Sequence, residues 1–421
     1  MMTPAEARRM WARIGCLSFG GPAGQIALMH REVIDQRKLI SESEFLNALN
    51  FCMLLPGPEA TQLATYIGWK MHGWRGGLWA GLLFVLPGAL VMFALSLLYL
   101  IFGEMPLIQS LFWGVKAAVL VIVLEALLRV ARRALKGWTD AAVALLAFVA
   151  LFCFNIPFPL VIIAALLVGF LTAGKQDQDA APVALPRFPD TLRQLALWLV
   201  IWLAPLAILA LVLPGSVFTV LGVFFSKLAV VTFGGAYAVL SYMAQDVVEA
   251  RHWLTAPQMM DGLGLAETTP GPLILVGQFV GVLAAAKVQG GILAGIAGGL
   301  VYLWMTFAPC FLWIFVGAPY IEFLQRWGRV AAALRLVTAA VTGVILNLAL
   351  WFGLHVIFGQ VARLPGPVPL WWPDVNGFDV AALLLACLAG VALLRLHWSM
   401  AWTLALAAGA GIIWKSFLPM L

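Results

Sequence analysis

Charge is what this sequence has least of. Asp, Glu, Lys and Arg make up 10% of the residues, against about 25% in an ordinary soluble domain. With 63% hydrophobic residues and only short hydrophilic stretches, there is too little polar sequence for a soluble globular protein or for a separate soluble domain. Cysteine is also scarce. Cys16, Cys52, Cys153, Cys310 and Cys387 are scattered, mostly in apolar runs and never at C-x-x-C spacing, which argues against a disulfide framework and a zinc site. There is no H-E-x-x-H, no G-x-G-x-x-G fingerprint and no haem-ligand pair. Redox, nucleotide-driven and metal-assisted chemistry therefore has no motif to rest on, and we expect no enzyme, no cofactor and no metal.

What is present is apolar sequence for roughly 10–13 membrane segments of about 20 residues. The expected fold class is an all-α polytopic membrane protein, because lipid cannot satisfy an open strand edge. The net charge of +6 and the pI near 9.2 come from Lys and Arg in short loops beside hydrophobic runs. That is the pattern of cytoplasmic loops and not of a nucleic-acid surface. The N-terminus carries Arg8, Arg9 and Arg13 but no A-x-A-like cleavage site, so it reads as mature protein. Residues 5–17 are amphipathic and are expected at the membrane surface.

One block occurs twice. Phe19-Gly20-Gly21 returns as Phe233-Gly234-Gly235, Pro56-Gly57-Pro58 as Pro270-Gly271-Pro272, and Gly76-Gly77 as Gly290-Gly291. The offset is constant (233 − 19, 270 − 56 and 290 − 76 all give 214). Such ungapped recurrence indicates an internal duplication. Its core is a pair of hydrophobic segments interrupted by Gly and Pro, which predicts broken or re-entrant helices. Ser41-x-x-Glu44 is a capping box that starts a helix near Glu42.

The chain then divides into an N-terminal transporter repeat (1–173), a polar cytoplasmic linker (174–191), an added span (192–214) and a C-terminal transporter repeat (215–421). An odd span before the second copy inverts it. Loop charges agree. The first half carries Lys70, Arg75, Arg129, Arg132, Arg133 and Lys136 where the second has only Lys287 and Arg363. The intervening loop has the opposite bias, with none at 103–106 but Arg326 and Arg329 after Tyr320. The two repeats are therefore expected to have inverted topology.

Inverted repeats with paired broken helices are a transporter signature, with the site at the breaks. A helix start exposes N–H groups and a positive dipole end that hold an anion without a lysine. The candidate substrate-binding residues are Gly20, Gly21, Gln25, Gly57, Gln62, Gly234, Gly235, Thr268, Thr269 and Gly271. Lys116 is a further candidate, either as an anion ligand or as the partner of a neighbouring helix. The competing reading is that these glycines only let helices pack closely. Each repeat also has one carboxylate at its break, Glu59 and Glu267. Both are candidate proton-coupling groups, and Glu59 has the alternative role of balancing a helix N-terminus.

Ser18-Phe19-Gly20-Gly21-Pro22, Met29-His30-Arg31-Glu32, Asn50, Leu54-Leu55-Pro56-Gly57-Pro58-Glu59, Gln62-Leu63-Ala64, Gly68-Trp69 and Gly73-x-x-Gly76-Gly77 belong to the first copy. With Phe233-Gly234-Gly235 and Thr269-Pro270-Gly271-Pro272 of the second, they resemble the chromate ion transporter family in its long, two-domain form. The resemblance covers nearly the whole chain. It implies a multi-pass protein of the bacterial inner membrane that expels chromate, driven by the proton-motive force, and confers resistance. The implied partners are chromate, protons and the lipid bilayer, with no nucleic acid; sulfate as substrate and a homodimer are left open, as is antiport against another form of coupling. The residues alone lead to an inverted-repeat transporter of a small anion. Sulfate or another oxyanion, and a passive anion channel on the same repeats, remain the alternatives.

Overall fold

The computed structural model describes residues 2–173, 188–233, 235–321, 328–364 and 369–417. Gly234, Arg326 and most of the expected linker (174–187) lie outside them. The elements in the first half are α1 (Pro4–Leu17), α2 (Gly21–His30) continued by a π turn (Arg31–Gln36), α3 (Glu42–Leu54), α4 (Glu59–Phe102), α5 (Pro106–Ala134), α6 (Trp138–Phe152) and α7 (Phe158–Thr172). Then come α8 (Phe188–Val212), α9 (Val217–Val231), α10 (Ala236–Met243) with a second π turn (Ala244–Ala250), α11 (Ala256–Thr268), a 3-10 turn (Leu273–Leu275), α12 (Val276–Gln289) and α13 (Ile292–Gly317). The chain ends with α14 (Gly328–Ile357), β1 (Val361–Arg363), β2 (Trp371–Pro373), α15 (Val380–Gly390) and α16 (Met400–Phe417).

Among the described residues five helices are long and apolar enough to cross a membrane, and shorter apolar helices accompany them. At about 1.5 Å per residue a straight α4 would run roughly twice the thickness of a bilayer core. It does not run straight: His72 (φ −138°) and Gly73 (φ 62°) leave helical conformation and divide it. The part beyond them runs on to Phe102.

The duplication is written into the backbone. α3 and α11 start and end 214 residues apart (256 − 42 and 268 − 54), and α1 and α9 end at Leu17 and Val231 with the same offset. The Ser41 capping box forms as expected, Ser41 N–H donating to Glu44 Oε2 at 2.8 Å and Glu44 N–H to Ser41 Oγ at 3.3 Å. Each π turn is closed by an acid and an arginine five residues apart, Glu32 with Arg37 and Asp246 with Arg251. A π turn bonds residues five apart, and that spacing brings the two side chains near one another. After each turn comes a non-glycine residue in the left-handed region, Lys38 (φ 49°) and His252 (φ 52°), again 214 apart (252 − 38).

The chain folds as two compact units, each drawn from both halves of the sequence. Unit 1 comprises Met1–Ser96, Gly169–Val239 and Thr269–Leu334. Here α13 packs against α8, α9 and α12, and Trp198 stacks on Phe311 at 5.9 Å between centroids. Met10, Trp11 and Ile14 of α1 are buried in this unit, so the apolar face expected at the membrane surface is turned into protein. Unit 2 comprises Leu97–Val168, Leu240–Thr268 and Arg335–Leu421. Its centre is α5, packed on α11, α15 and α16. Gly114 and Gly411 lie at the crossing of α5 and α16, where an added methyl would meet the carbonyls of Ala407 and Ser110. Small residues at such a crossing let two helices approach in the absence of a strong hydrophobic drive. The hairpin β1–β2, with Arg363 opposite Trp371, was not foreseen from sequence and is the one sheet among the described residues.

Candidate functional site

In each repeat a helix ends at a hydroxyl residue that caps itself. Ser18 Oγ donates to the Ile14 carbonyl at 2.5 Å and Thr232 Oγ1 to the Leu228 carbonyl. The glycines that follow turn the chain into the next helix start. Gly20 (φ 85°), Gly21 (φ 66°) and Gly235 (φ 95°) are all left-handed. Around Gly20 and Gly21 there is open space, so the backbone angle and not crowding requires glycine there.

The Pro-Gly-Pro segments meet these turns across the repeats. Gly57 (φ 118°) donates its N–H to the Thr232 carbonyl at 2.8 Å, and Gly271 (φ 89°) donates to the Ser18 carbonyl at 2.9 Å. Donors and acceptors are both related by 214 residues (271 − 57 and 232 − 18), so the two bonds are one contact made twice. The N–H groups of Gly57 and Gly271, named above as anion donors, are thus engaged with carbonyls of the other repeat.

Beside this junction, within unit 1, is a cleft lined by Pro22, Gln25, Pro58, Glu59, Ala60, Thr232, Ala236, Pro272, Leu273 and Ile274. Most of the lining comes in repeat-matched pairs: Pro22 with Ala236, Pro58 with Pro272, Glu59 with Leu273 and Ala60 with Ile274. These residues open α2, α10, α4 and the turn before α12. Four helical starts therefore share one cleft. Their first-turn N–H groups have no intrahelical acceptor, and each brings a partial positive charge.

Pair by pair the cleft is symmetric, but its chemistry is not. Glu59 is the first residue of α4 and its repeat partner is Leu273, so the cleft holds one carboxylate. Its side chain pairs with no other described side chain, and a methyl added to Gly235 would lie 3.8 Å from its Oε1. Gln25 is fully buried. Its Nε2 donates to the Gly271 carbonyl at 2.6 Å, while Oε1 is buried without a partner among the described residues. Gln62 Nε2 donates to the Pro56 carbonyl at 2.7 Å, holding the Pro-Gly-Pro turn from inside. A methyl on Gly57 would press against that same nitrogen.

Unit 1 thus brings together Gln25, Gly57, Glu59, Gln62, Gly235 and Gly271, with Gly20 and Gly21 opening α2 and Thr269 buried in the same unit. Lys116, Glu267 and Thr268 belong to unit 2. Thr268 Oγ1 donates to the Leu265 carbonyl of its own helix at 2.8 Å, and Glu267 is buried in α11. Lys116 Nζ lies 3.5 Å from Asp261 Oδ1, and Asp261 Oδ2 accepts from the Tyr99 hydroxyl at 2.8 Å. Of the two roles weighed for Lys116, the structure displays the pairing with a neighbouring helix. Glu125 pairs with Arg129 one turn on, at 2.5 Å.

Sequence reasoning passed over Ser18 and Thr232 as junction residues, although their 214-residue offset was there to read. It also passed over Asp261, whose signal was an acid within a largely apolar segment. Among the described residues no group of three or more His, Cys, Asp or Glu is placed to hold a metal.

A family described as "Chromate transporter" matches residues 6–170 and 219–412, two stretches separated by the linker and α8. A probable chromate transport protein of Synechococcus elongatus is 28% identical over 92% of this chain and 94% of its own. The chromate transport protein of Pseudomonas aeruginosa is 34% identical over 81% of this chain and 80% of its own. An uncharacterized transporter of Bacillus subtilis is 32% identical, and 89% of its length corresponds to 37% of this chain. No solved structure matches. Helical spans and bacterial relatives of this kind describe a multi-pass protein of the inner membrane, since outer-membrane spans are β-barrels. The chain belongs to the chromate transporter family.

Proposed function

We propose that this protein is a secondary active transporter that exports chromate across the inner membrane, coupled to protons, with its anion site in the unit 1 cleft. The observation that carries the reading is the convergence of four repeat-matched helical starts on one cleft whose one ionisable side chain is Glu59. In transporters built from inverted repeats, half-helix N-termini face an anionic substrate. The oxyanion rests on the first-turn N–H groups of α2, α4 and α10, with Gln25 beside them. Glu59 carries the proton, because an ionisable group at membrane depth with no ion partner is there for a function.

The reciprocal bonds from Gly57 and Gly271 support a two-fold relation between the repeats. A contact in which i meets j and the equivalents of j and i meet in turn is what a two-fold axis produces. In a membrane an axis lying in the plane inverts one copy, in accord with the loop charges. The breaks at Gly20-Gly21 and Gly57 are then the hinges at which the helices are interrupted. Lys116, Glu267 and Thr268 act, in this reading, outside the anion cleft.

Inside-out vesicles carrying the protein test this directly. Chromate uptake that collapses with an uncoupler and survives excess sulfate is the expected result. Glu59→Gln is expected to bind chromate and to lose uphill, pH-driven uptake. Flux indifferent to the gradient would favour a passive channel on the same fold, and uptake of sulfate alone would move the substrate to another tetrahedral oxyanion. Chromate and sulfate share shape and charge, so only a difference in contacts can separate them.

A further inference from the structure

Unit 2 contains a second polar cleft that the transport reading does not use. It is narrow and lined by Asn155, Ser241, Gln245, Glu249, Asn347, Trp351, Arg363 and Trp371, with the apolar Leu151, Ala244 and Leu348 completing the wall. The hairpin register sets Arg363 opposite Trp371, and the guanidinium lies 4.5 Å from that ring's centroid, a cation–π contact that holds it in place. Arg363 Nη1 is then 3.1 Å from Glu249 Oε2. Arg363, counted above as a loop charge, is in fact largely covered.

The duplication sharpens the point. Glu249 matches Asp35 of the first repeat (249 − 35 = 214), which is 58% exposed and beside His30 at 3.5 Å, whereas Glu249 is 17% exposed. The second copy has taken a surface acid and buried it against an arginine. Among the described residues two donors in this cleft, Arg363 Nε and Trp351 Nε1, have no hydrogen-bond partner, and neither has the acceptor Glu249 Oε2. Buried donors are seldom left unmade, so these two call for an acceptor in the cleft. Gln245 Nε2 is engaged with Asn155 Oδ1 at 2.5 Å, and Asn347 Nδ2 with Ser241 Oγ at 3.4 Å.

We propose that this cleft is a second oxyanion site, with Arg363 and Trp351 as the donors, that admits its anion when Glu249 takes up a proton. With Glu249 ionised the pair is neutral and closed, and its carboxylate repels an anion. With Glu249 protonated the cleft has a net positive charge and two unfilled donors. The charged group that bears on Glu249 is Arg363 from β1; His355 of α14 touches Trp371, and its Nδ1 is engaged with the Trp351 carbonyl at 2.8 Å. Burial pushes the Glu249 carboxyl up to about 7, with Arg363 opposing. Proton and anion therefore bind together, and anion affinity falls as pH rises through that value. The transport reading supplies the ligand class, a tetrahedral oxyanion; the site itself stands on these residues.

The test is equilibrium binding of radiolabelled sulfate and of chromate to the purified full chain at pH 6 and pH 8. If only the protonated form binds, a carboxyl titrating near 7 lowers affinity at this site about tenfold between these values. Glu249→Gln is expected to keep its pH 6 affinity at pH 8, Arg363→Met to bind one anion fewer per chain, and Trp351→Phe to bind several-fold more weakly with the pH dependence intact. Arg363→Met with the wild-type stoichiometry, or Glu249→Gln with the wild-type pH dependence, would overturn the proposal. Loss of wild-type vesicle uptake with this binding intact would instead remove the transport reading and leave the site.

Discussion

Gly57 donates its backbone N–H to the carbonyl of Thr232 at 2.8 Å, and 214 residues on Gly271 makes the same bond to Ser18 at 2.9 Å. The bond satisfies two groups that an interrupted helix leaves bare, the N–H inside a Pro-Gly-Pro turn and the carbonyl just past a helix end. In lipid neither could be satisfied by water. Each repeat therefore needs the other to close its own break.

That dependence sets the first expectation. Gly57→Ala and Gly271→Ala put a side chain at φ 118° and φ 89°, conformations that cost about 1–3 kcal/mol for a residue with a Cβ. At Gly57 the methyl meets the flexible end of Gln62; at Gly271 it meets the backbone of Gly88. Both variants are expected to melt at lower temperature in detergent, Gly271→Ala more so, as read by size-exclusion after heating.

Gln25 bridges the cleft and the second Pro-Gly-Pro turn. Gln25→Leu removes the bond to the Gly271 carbonyl and leaves a buried acceptor unmade, a loss of about 1–3 kcal/mol. Gln25→Glu adds a negative charge where the anion is proposed to sit. Half-saturation for chromate uptake is expected to rise more in the Glu variant than in the Leu variant; equal effects would assign Gln25 a structural role alone.

Lys116 and Asp261 form a buried ion pair in unit 2, with Lys116 19% and Asp261 8% exposed. Breaking such a pair from one side costs about 3–5 kcal/mol, while removing both charges is often close to neutral. Lys116→Met and Asp261→Asn are expected to express poorly alone and well together. If the double variant also transports chromate, Lys116 is a structural partner; a folded but inactive double variant would return it to the transport machinery.

Glu249 gives a pH signature in stability. Its carboxyl is raised from 4.5 to about 7, so the folded state holds its proton more tightly than the unfolded chain does. The stabilisation is fully present below about pH 4.5 and is lost as pH rises through 7. Wild-type protein is expected to lose melting temperature between pH 5 and pH 8 relative to Glu249→Gln, and parallel curves for the two would contradict the shift.

Much was legible in the chain because the signals were local or periodic. Apolar runs gave the membrane class, Ser41-x-x-Glu44 gave the start of α3, and the 214-residue offset gave a duplication that the backbone repeats down to Lys38 and His252. Glu59 at a break was visible for the same reason. The Met10–Trp11–Ile14 face was read as a surface stripe because periodicity marks an apolar face without saying what covers it. Arg363 reads as a loop charge because the two strands are three residues each, too short for an alternating pattern to show.

What the sequence determined by itself was the set of parts: helical spans, two matched breaks and a carboxylate at each. Only the tertiary structure decided how they are used. It joined the breaks through Gly57–Thr232 and Gly271–Ser18, put Glu59 with Gln25 in one unit and Glu267 with Lys116 in the other, and buried Glu249 beside Arg363. The reason is that local pattern governs where a helix starts and stops, whereas the partner of a bare N–H or a buried charge is set by long-range packing that brings residues some two hundred positions apart within hydrogen-bond distance.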